Sequence, residues 1–398
     1  MRFIQKIIDT KKTHVLMDIW VYKIRVAVLE ISRTSSTIIA YAEKKQEPDD
    51  FEHGKITNFE NVSQNIAYLM QKVYNDAKIE SALVHVNTSI YESYFTVQRY
   101  HLKRQSWKPI KKYELKDIGQ QLLQQTQTKD SPVLEWVFWT KNLKLILSNL
   151  KNISLDWQIS KNILEQDPKN IDITLSQFYM QHTAYDRIKK LIWASGEKLQ
   201  LVLPHANSLK DLINARTTDT NYITIHIQNR QTLISYITNS ELYATATFSI
   251  GIDELLYKLT KKYKITYNKA IKTIDQQWLY SQEKQEFYRI WQQALIIQLE
   301  DIIWNTIWPH TWYIFGGWYN YFIEQHIAML NLHSTSIKVW KKLIIKNISN
   351  IDKNFIDWKY QIDVKANLEL LSMIVSLKKY YDSAQNETIA ILQKLLKN

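Results

Sequence analysis

Asp18 and Lys23 flank a short turn, Ile19-Trp20-Val21-Tyr22, and together they could do phosphate chemistry. An apolar run, Val15-Leu16-Met17, leads into Asp18. After the turn Ile24, Val26 and Val28 alternate with Arg25, Ala27 and Leu29. The pattern predicts a strand, a tight turn and a second strand over His14 to Glu30. A carboxylate at the end of a buried strand can hold a magnesium ion through its water shell. The turn's N–H groups and a lysine can take the phosphate oxygens. Such a turn favours glycine, which permits positive φ and close backbone approach. Trp20 stands there instead. A second such corner is Trp312-Tyr313-Ile314-Phe315-Gly316-Gly317-Trp318-Tyr319-Asn320, a strand followed by a glycine turn.

The elements that must position these corners alternate between strands and helices. Thr37 to Tyr41 is strand-like, within a candidate strand from Ser36 to Glu43. Thr57 and Glu60 have capping-box spacing, and Val62, Ile66, Leu69, Met70 and Val73 then share one helical face. Ala82 to Asn87 is a strand. Tyr94 to Arg99, Val133 to Thr140, Leu143 to Leu147 and Asn170 to Phe178 are strand-like, with a helix through Gln125 among them. Ile153-Ser154-Leu155-Asp156-Trp157-Gln158 has a hairpin pattern that would be complete with glycine at 157. His182 to Ser195 is a helix with Gly196 as its C′ residue. Lys198 to Leu203 is a strand, and Pro204 opens another helix. Ile223 to Tyr236 repeats the strand–turn–strand pattern, and Gln282 to Ile307 is a long amphipathic helix. Lys365 to Leu377 is a further helix, followed by a polar linker over Asp382 to Asn386.

The chain has 398 residues, 45% of them hydrophobic, enough for two domains with sizeable cores. It has no cysteine, which excludes disulfides, thiolate metal sites and cysteine nucleophiles and suits a reducing compartment. The start is basic without the apolar run of a signal peptide, and no stretch is long and apolar enough to span a membrane. The net charge of +12 fits a basic surface or an anionic membrane. Lysine and arginine are spread without a block, so no nucleic-acid partner is expected. The ten histidines show no metal-ligand spacing.

Glycine and tryptophan counts are anomalous. A glycine content near 7% would give about 28 residues in a chain of this length, against 6 Gly and 14 Trp here. Trp20, Trp157 and Trp318 stand where turns want glycine. This predicts that UGA codons, read as glycine by the source, have been translated as tryptophan. The alternative, an AT-rich genome that lost glycine codons, accounts for the few glycines but not for the excess tryptophan. The codons at 20, 157 and 318 decide between them.

The Asp18 loop resembles the first phosphate loop of the FtsA/PilM branch of the actin-like ATPases, Asp-Ile-Gly-Thr/Ser, and is closest to the FtsA type. Gly316-Gly317 is similar to the branch's adenosine motif, and closely so if Trp318 is glycine. The block from Lys55 to Asn87 resembles the FtsA Lys-Gly-x-Ile, helix, strand pattern. The resemblance implies an α/β, bilobed actin-like (ribonuclease H-like, duplicated) fold with an inserted small α+β subdomain of the SHS2, or 1C, kind. The implied parts are 1–88, first part of lobe 1 (1A); 89–181, the insert; 182–216, second part of lobe 1; 217–364, lobe 2 (2A/2B); 365–381, the returning helix; and 382–398, linker and amphipathic helix.

It further implies ATP and Mg²⁺ bound between lobes. Asp18 would serve the metal, and Trp20, Val21, Tyr22 and Lys23 would cradle the phosphates. Gln228, Thr232 and Gly251 would lie at the second loop, and Gly316, Gly317, Trp318, Tyr319 and Asn320 at the adenosine. In that second loop His226 replaces the family's acid and Gln228 its glycine. No catalytic residue is assigned, and whether ATP is turned over stays open. His226 also argues against a sugar or acetate kinase, which needs an acid there as base. Ala270 aligns with the family's Ala-Glu-x-x-Lys helix, though Ile271 and Ile274 stand at its Glu and Lys. The tail from Glu387 places Ile389, Leu392, Leu395 and Leu396 on one face, with Lys394 and Lys397 on the other, an interfacial amphipathic pattern. FtsA-like proteins polymerise and tether the FtsZ ring, through its C-terminal peptide, to the inner face of the cytoplasmic membrane. PilM, the type IV pilus adaptor, is the alternative within the branch.

Overall fold

The computed structural model describes residues 12–20, 23–31, 36–47, 50–52, 55–88, 91–104, 108–125, 134–136, 139, 141–160, 163–274, 281–303, 308–315, 344–347, 357–358 and 368–383. The chain divides into two compact units. The first comprises 1–208, 354–362 and 369–398, and the second 209–353 and 363–368.

The first unit opens with β1 (Lys12–Ile19), β2 (Lys23–Ile31) and β3 (Ser36–Lys45), an antiparallel meander. The small hairpin β4 (Phe51–Glu52) and β5 (Lys55–Ile56) precedes helix α1 (Phe59–Ala77). Asn58 caps α1 by accepting from the Asn61 N–H. The expected Thr57–Glu60 box does not form, because the Thr57 N–H is already committed to the Asp50 carbonyl. Val62, Ile66, Leu69, Met70 and Val73 are all buried, as the helical spacing predicts. The chain then re-enters the sheet as β6 (Leu83–Thr88), parallel to β1.

A separate sheet with its own helix follows: β7 (Tyr94–Lys103), α2 (Lys112–Gln125), β8 (Leu143–Leu155), β9 (Gln158–Ser160) and β10 (Asn170–Gln181). The sheet is antiparallel in the order β7-β10-β8-β9. Leu115, Ile118 and Leu122 of α2 share one core with Tyr100, Leu102, Ile153, Leu155, Ile171, Ile173 and Leu175 of the sheet. The strand expected over Val133 to Thr140 does not form, since Leu134 to Trp136 are helical. The strand begins only at Leu143, beyond Asn142, whose φ of 55° breaks extension.

Helix α3 (His182–Ala194) ends as expected on Gly196, whose φ of +83° only glycine adopts without strain. Then come β11 (Leu199–Val202), parallel to β6, and α4 (His205–Asn214).

The second unit repeats the first unit's sheet. Strands β12 (Tyr222–Ile227), β13 (Thr232–Thr238) and β14 (Glu241–Phe248) form an antiparallel meander. Helices α5 (Ile252–Tyr263), α6 (Tyr267–Ile274) and α7 (Ser281–Ile302) intervene before β15 (Thr311–Phe315), which pairs parallel to β12, and β16 (Ile344–Asn347), parallel to β15. The order β14-β13-β12-β15-β16 matches β3-β2-β1-β6-β11 strand for strand and direction for direction. Trp291, Leu295 and Leu299 of α7 pack with Leu255, Leu256 and Leu259 of α5 against Ile223, Ile225 and Ile314.

The chain returns to the first unit as β17 (Asp357–Trp358), parallel to β3, and α8 (Leu368–Ser383). Asp382 lies within α8, so the helix continues into the stretch expected as linker. Contacts that fix α8 in its unit include Glu369 to Arg25 of β2, Ser376 to Asn207 of α4, and the Tyr381 ring against His14 of β1 and His85 of β6.

Candidate functional site

β1 delivers Asp18 at its penultimate position, and the ladder sets Arg25 of β2 opposite it. Both side chains are buried. Arg25 Nε lies 3.4 Å from the Asp18 carboxylate, and Nη1 donates to Glu369 at 3.1 Å. One guanidinium therefore serves two buried carboxylates. Burial raises the Asp18 pKa; Arg25 lowers it and Glu369 raises it again. Lys23 and the Trp20 indole lower it less, and the result is about 7. Burial opposes the charge on Arg25, but the two acids outweigh it and hold the guanidinium protonated. With one cation between two acids, Asp18 is the acid that takes a proton.

Trp20 closes the turn by donating its N–H to the Lys23 carbonyl at 2.9 Å. The expected positive φ is not found at Trp20. Its ring is buried, with the Arg25 guanidinium 5.1 Å from its centroid. Lys23, expected to face phosphate, instead pairs with Glu43 at 3.2 Å, and Tyr41 donates to the same carboxylate. These two donors and Arg25 outweigh burial and hold Glu43 below the usual carboxylate range. Val21 and Tyr22 lie outside the described residues.

The second loop has the same shape in the second unit. His226 occupies in β12 the penultimate position that Asp18 has in β1, fully buried. The Gln228 N–H donates to the Gln231 carbonyl at 2.9 Å, closing the turn. The Gln228 amide reaches His226 Nδ1 at 3.2 Å, and Gln231 donates to Gln228 at 2.9 Å. Thr232 donates to the Ile250 carbonyl and accepts from the Trp291 indole. The first N–H groups of α5 bond the loop itself, Ile252 to Gln228 and Asp253 to Asn229. Gly251 makes this approach possible, because a Cβ there would meet Asn229 backbone atoms at 2.4 Å. The helix N-terminus that could face phosphate is thus taken up by its own loop. Ala270 is packed in the core of this unit. Asp253, beside Arg230 and hydrogen-bonded by Tyr267, is pushed by burial up to about 7.

These side chains do not fit a magnesium ion. Asp18 already has a cation, Arg25, and His226 offers no carboxylate. Among the described residues no group of three or more His, Asp or Glu is placed to hold a metal. Gly316, Gly317, Trp318, Tyr319 and Asn320 lie outside the described residues, as do Ile389, Leu392, Lys394, Leu395, Leu396 and Lys397. No helix among the described residues is long and apolar enough to cross a membrane.

Arg25 and Glu369 were missed as site residues by sequence reasoning. The signal for Arg25 is an arginine inside an Ile-Val-Val strand, directly across from an aspartate. Glu369, 344 positions away from Arg25, gives no such signal.

The duplicated sheet is that of the actin-like ATPase fold, as solved structures bear out. The chain superposes on PilM of the PilM-PilN type IV pilus biogenesis complex with TM-score 0.62 at 9% identity, over 93% of this chain and 99% of that one. Looser matches, both with TM-score 0.44, are ethanolamine utilization protein EutJ from Carboxydothermus hydrogenoformans and MreB 5 of Spiroplasma citri bound to AMPPNP. EutJ is 13% identical, over 85% of this chain and 90% of its own, and MreB 5 is 9% identical, over 95% and 99%. No protein-family model matches the chain, and no curated protein does.

Proposed function

We propose that this protein is a PilM-like adaptor, an actin-fold scaffold that holds a membrane-protein partner at the inner face of the cytoplasmic membrane and does not turn over ATP. One observation carries the reading. The superposition on PilM spans 93% of this chain, which leaves too few residues unmatched for the inserted subdomain to fall wholly outside it. The chemistry of the two loops supports a scaffold over an enzyme. Asp18 is buried beside Arg25 with its pKa raised by burial, and the second loop spends its polar groups on itself.

Binding tests the proposal. Titration calorimetry of the purified chain against a PilN-type partner and, separately, against the C-terminal peptide of FtsZ from the same source separates the two readings of the branch. Binding to the PilN-type partner alone is the expected result. Binding to the FtsZ peptide alone would transfer the protein to the FtsA-like tether, with the tail beyond 386 as its membrane contact.

A further inference from the structure

We propose that Trp139 and Trp157 are glycine in the protein its source makes, encoded by UGA, while Trp291 and Trp312 are true tryptophan. The inference stands apart from the adaptor reading. It rests on backbone conformation, which the counts of glycine and tryptophan do not contain.

Two hairpins in this chain turn in the same way. Between β13 and β14 the turn residues are Asn239 and Ser240, with φ of 52° and 63°. Between β8 and β9 they are Asp156 and Trp157, with φ of 43° and 76°. Positive φ at both central positions is the type I′ geometry, whose preferred pairs are Asn-Gly and Asp-Gly. Asp156 fits its position well. Its carboxylate accepts from the Lys169 and Asn170 N–H groups, which hold its pKa down. Trp157 does not fit. A bulky side chain in the left-handed region is strained, and burial offers no compensation, because the residue is 73% exposed.

Trp139 repeats the anomaly, with φ of 52° and 85% exposure. Its N–H donates to the Trp136 carbonyl, closing a turn just before β8. Elsewhere the chain meets left-handed positions with ordinary residues. Lys78 and Lys264 stand at the ends of α1 and α5, where glycine is usual. Loss of glycine codons thus explains those two positions. It does not explain tryptophan at the other two, for which a lysine, asparagine or aspartate is equally available.

The buried tryptophans behave in the opposite way. Trp291 is fully buried and donates its indole N–H to Thr232, and Trp312 is fully buried and donates to the Pro309 carbonyl. Each is packed in the core of the second unit, with a partner for its one polar atom.

The test has a genetic arm and a physical one. UGA at 139 and 157 with UGG at 291 and 312 is the expected codon pattern. UGG at 139 or 157, or UGA at 291 or 312, overturns the assignment. In the purified chain, Trp157→Gly and Trp139→Gly should each raise the thermal midpoint, and Trp157→Asn should do so as well. Trp291→Gly should lower it sharply or abolish folding. A lower midpoint for both Trp157→Gly and Trp157→Asn would overturn the proposal.

Discussion

Arg25 Nε stands 3.4 Å from the Asp18 carboxylate across the β1–β2 ladder, while Nη1 holds Glu369 at 3.1 Å. This three-group cluster gives the protein a definite response to pH. The Asp18 pKa is raised from 3.8 to about 7, so between these values the folded chain binds a proton that the unfolded chain has released. The associated stability is complete below about pH 4 and is lost as pH rises through 7. Asp253, raised to about 7 by burial, adds a fall of the same sign in the same window. Urea unfolding from pH 4 to 8 should therefore show declining stability, with a shallower decline in Asp18→Asn and the shallowest in Asp18→Asn with Asp253→Asn.

Arg25→Leu removes the only cation between two buried acids in this cluster. Breaking a buried ion pair from one side costs about 3–5 kcal/mol, because the partners keep their desolvation penalty. Adding Asp18→Asn and Glu369→Gln to Arg25→Leu should recover much of that loss. Equilibrium unfolding of the three proteins checks it. Equal stability of Arg25→Leu and the unaltered chain would mean that the cluster contributes nothing.

The fold was legible where period alone decides. β1, β2, β6, β12 and β13 follow from alternating or continuous apolar runs, while the duplication was implied by the resemblance to the actin-like ATPases. The site was legible only in part. Asp18 could be placed because it ends a strand, and the second loop through the resemblance. Arg25 looked like the polar member of an alternating strand, yet β2 is buried on both faces. What buries and pairs Arg25 is Glu369, brought back by a helix from the far end of the chain. Residues Leu134 to Trp136 failed for the opposite reason, since a short apolar run carries no period long enough to separate helix from strand.

Gly251→Ala tests the packing of the second loop. The added Cβ would meet backbone carbon and oxygen of Asn229 at 2.4 Å and the Arg230 nitrogen at 2.5 Å, none of which can rotate away. The loop must then leave the N-terminus of α5, which breaks the Ile252 and Asp253 hydrogen bonds. Overpacking of this kind costs about 1–3 kcal/mol. Hydrogen exchange should show early opening over 228–253 while the sheet of β7 to β10 keeps its protection.

Trp20→Gly decides whether the first loop can accept a nucleotide. The indole is buried beside the Arg25 guanidinium, 5.1 Å from ring centroid to the charged carbon. Glycine would remove the ring, keep the Trp20–Lys23 turn bond, which uses backbone only, and leave Arg25 beside an open space. A fluorescent ATP analogue should bind the Trp20→Gly protein at least about tenfold more tightly than the unaltered chain, a difference of about 1.4 kcal/mol. Because Asp18 is not available to a metal, EDTA should leave that binding unchanged. The same substitution made with Arg25→Leu should abolish the gain, since the guanidinium is the group the anion would meet. Equal binding by the unaltered chain and Trp20→Gly would place any nucleotide contact away from this turn.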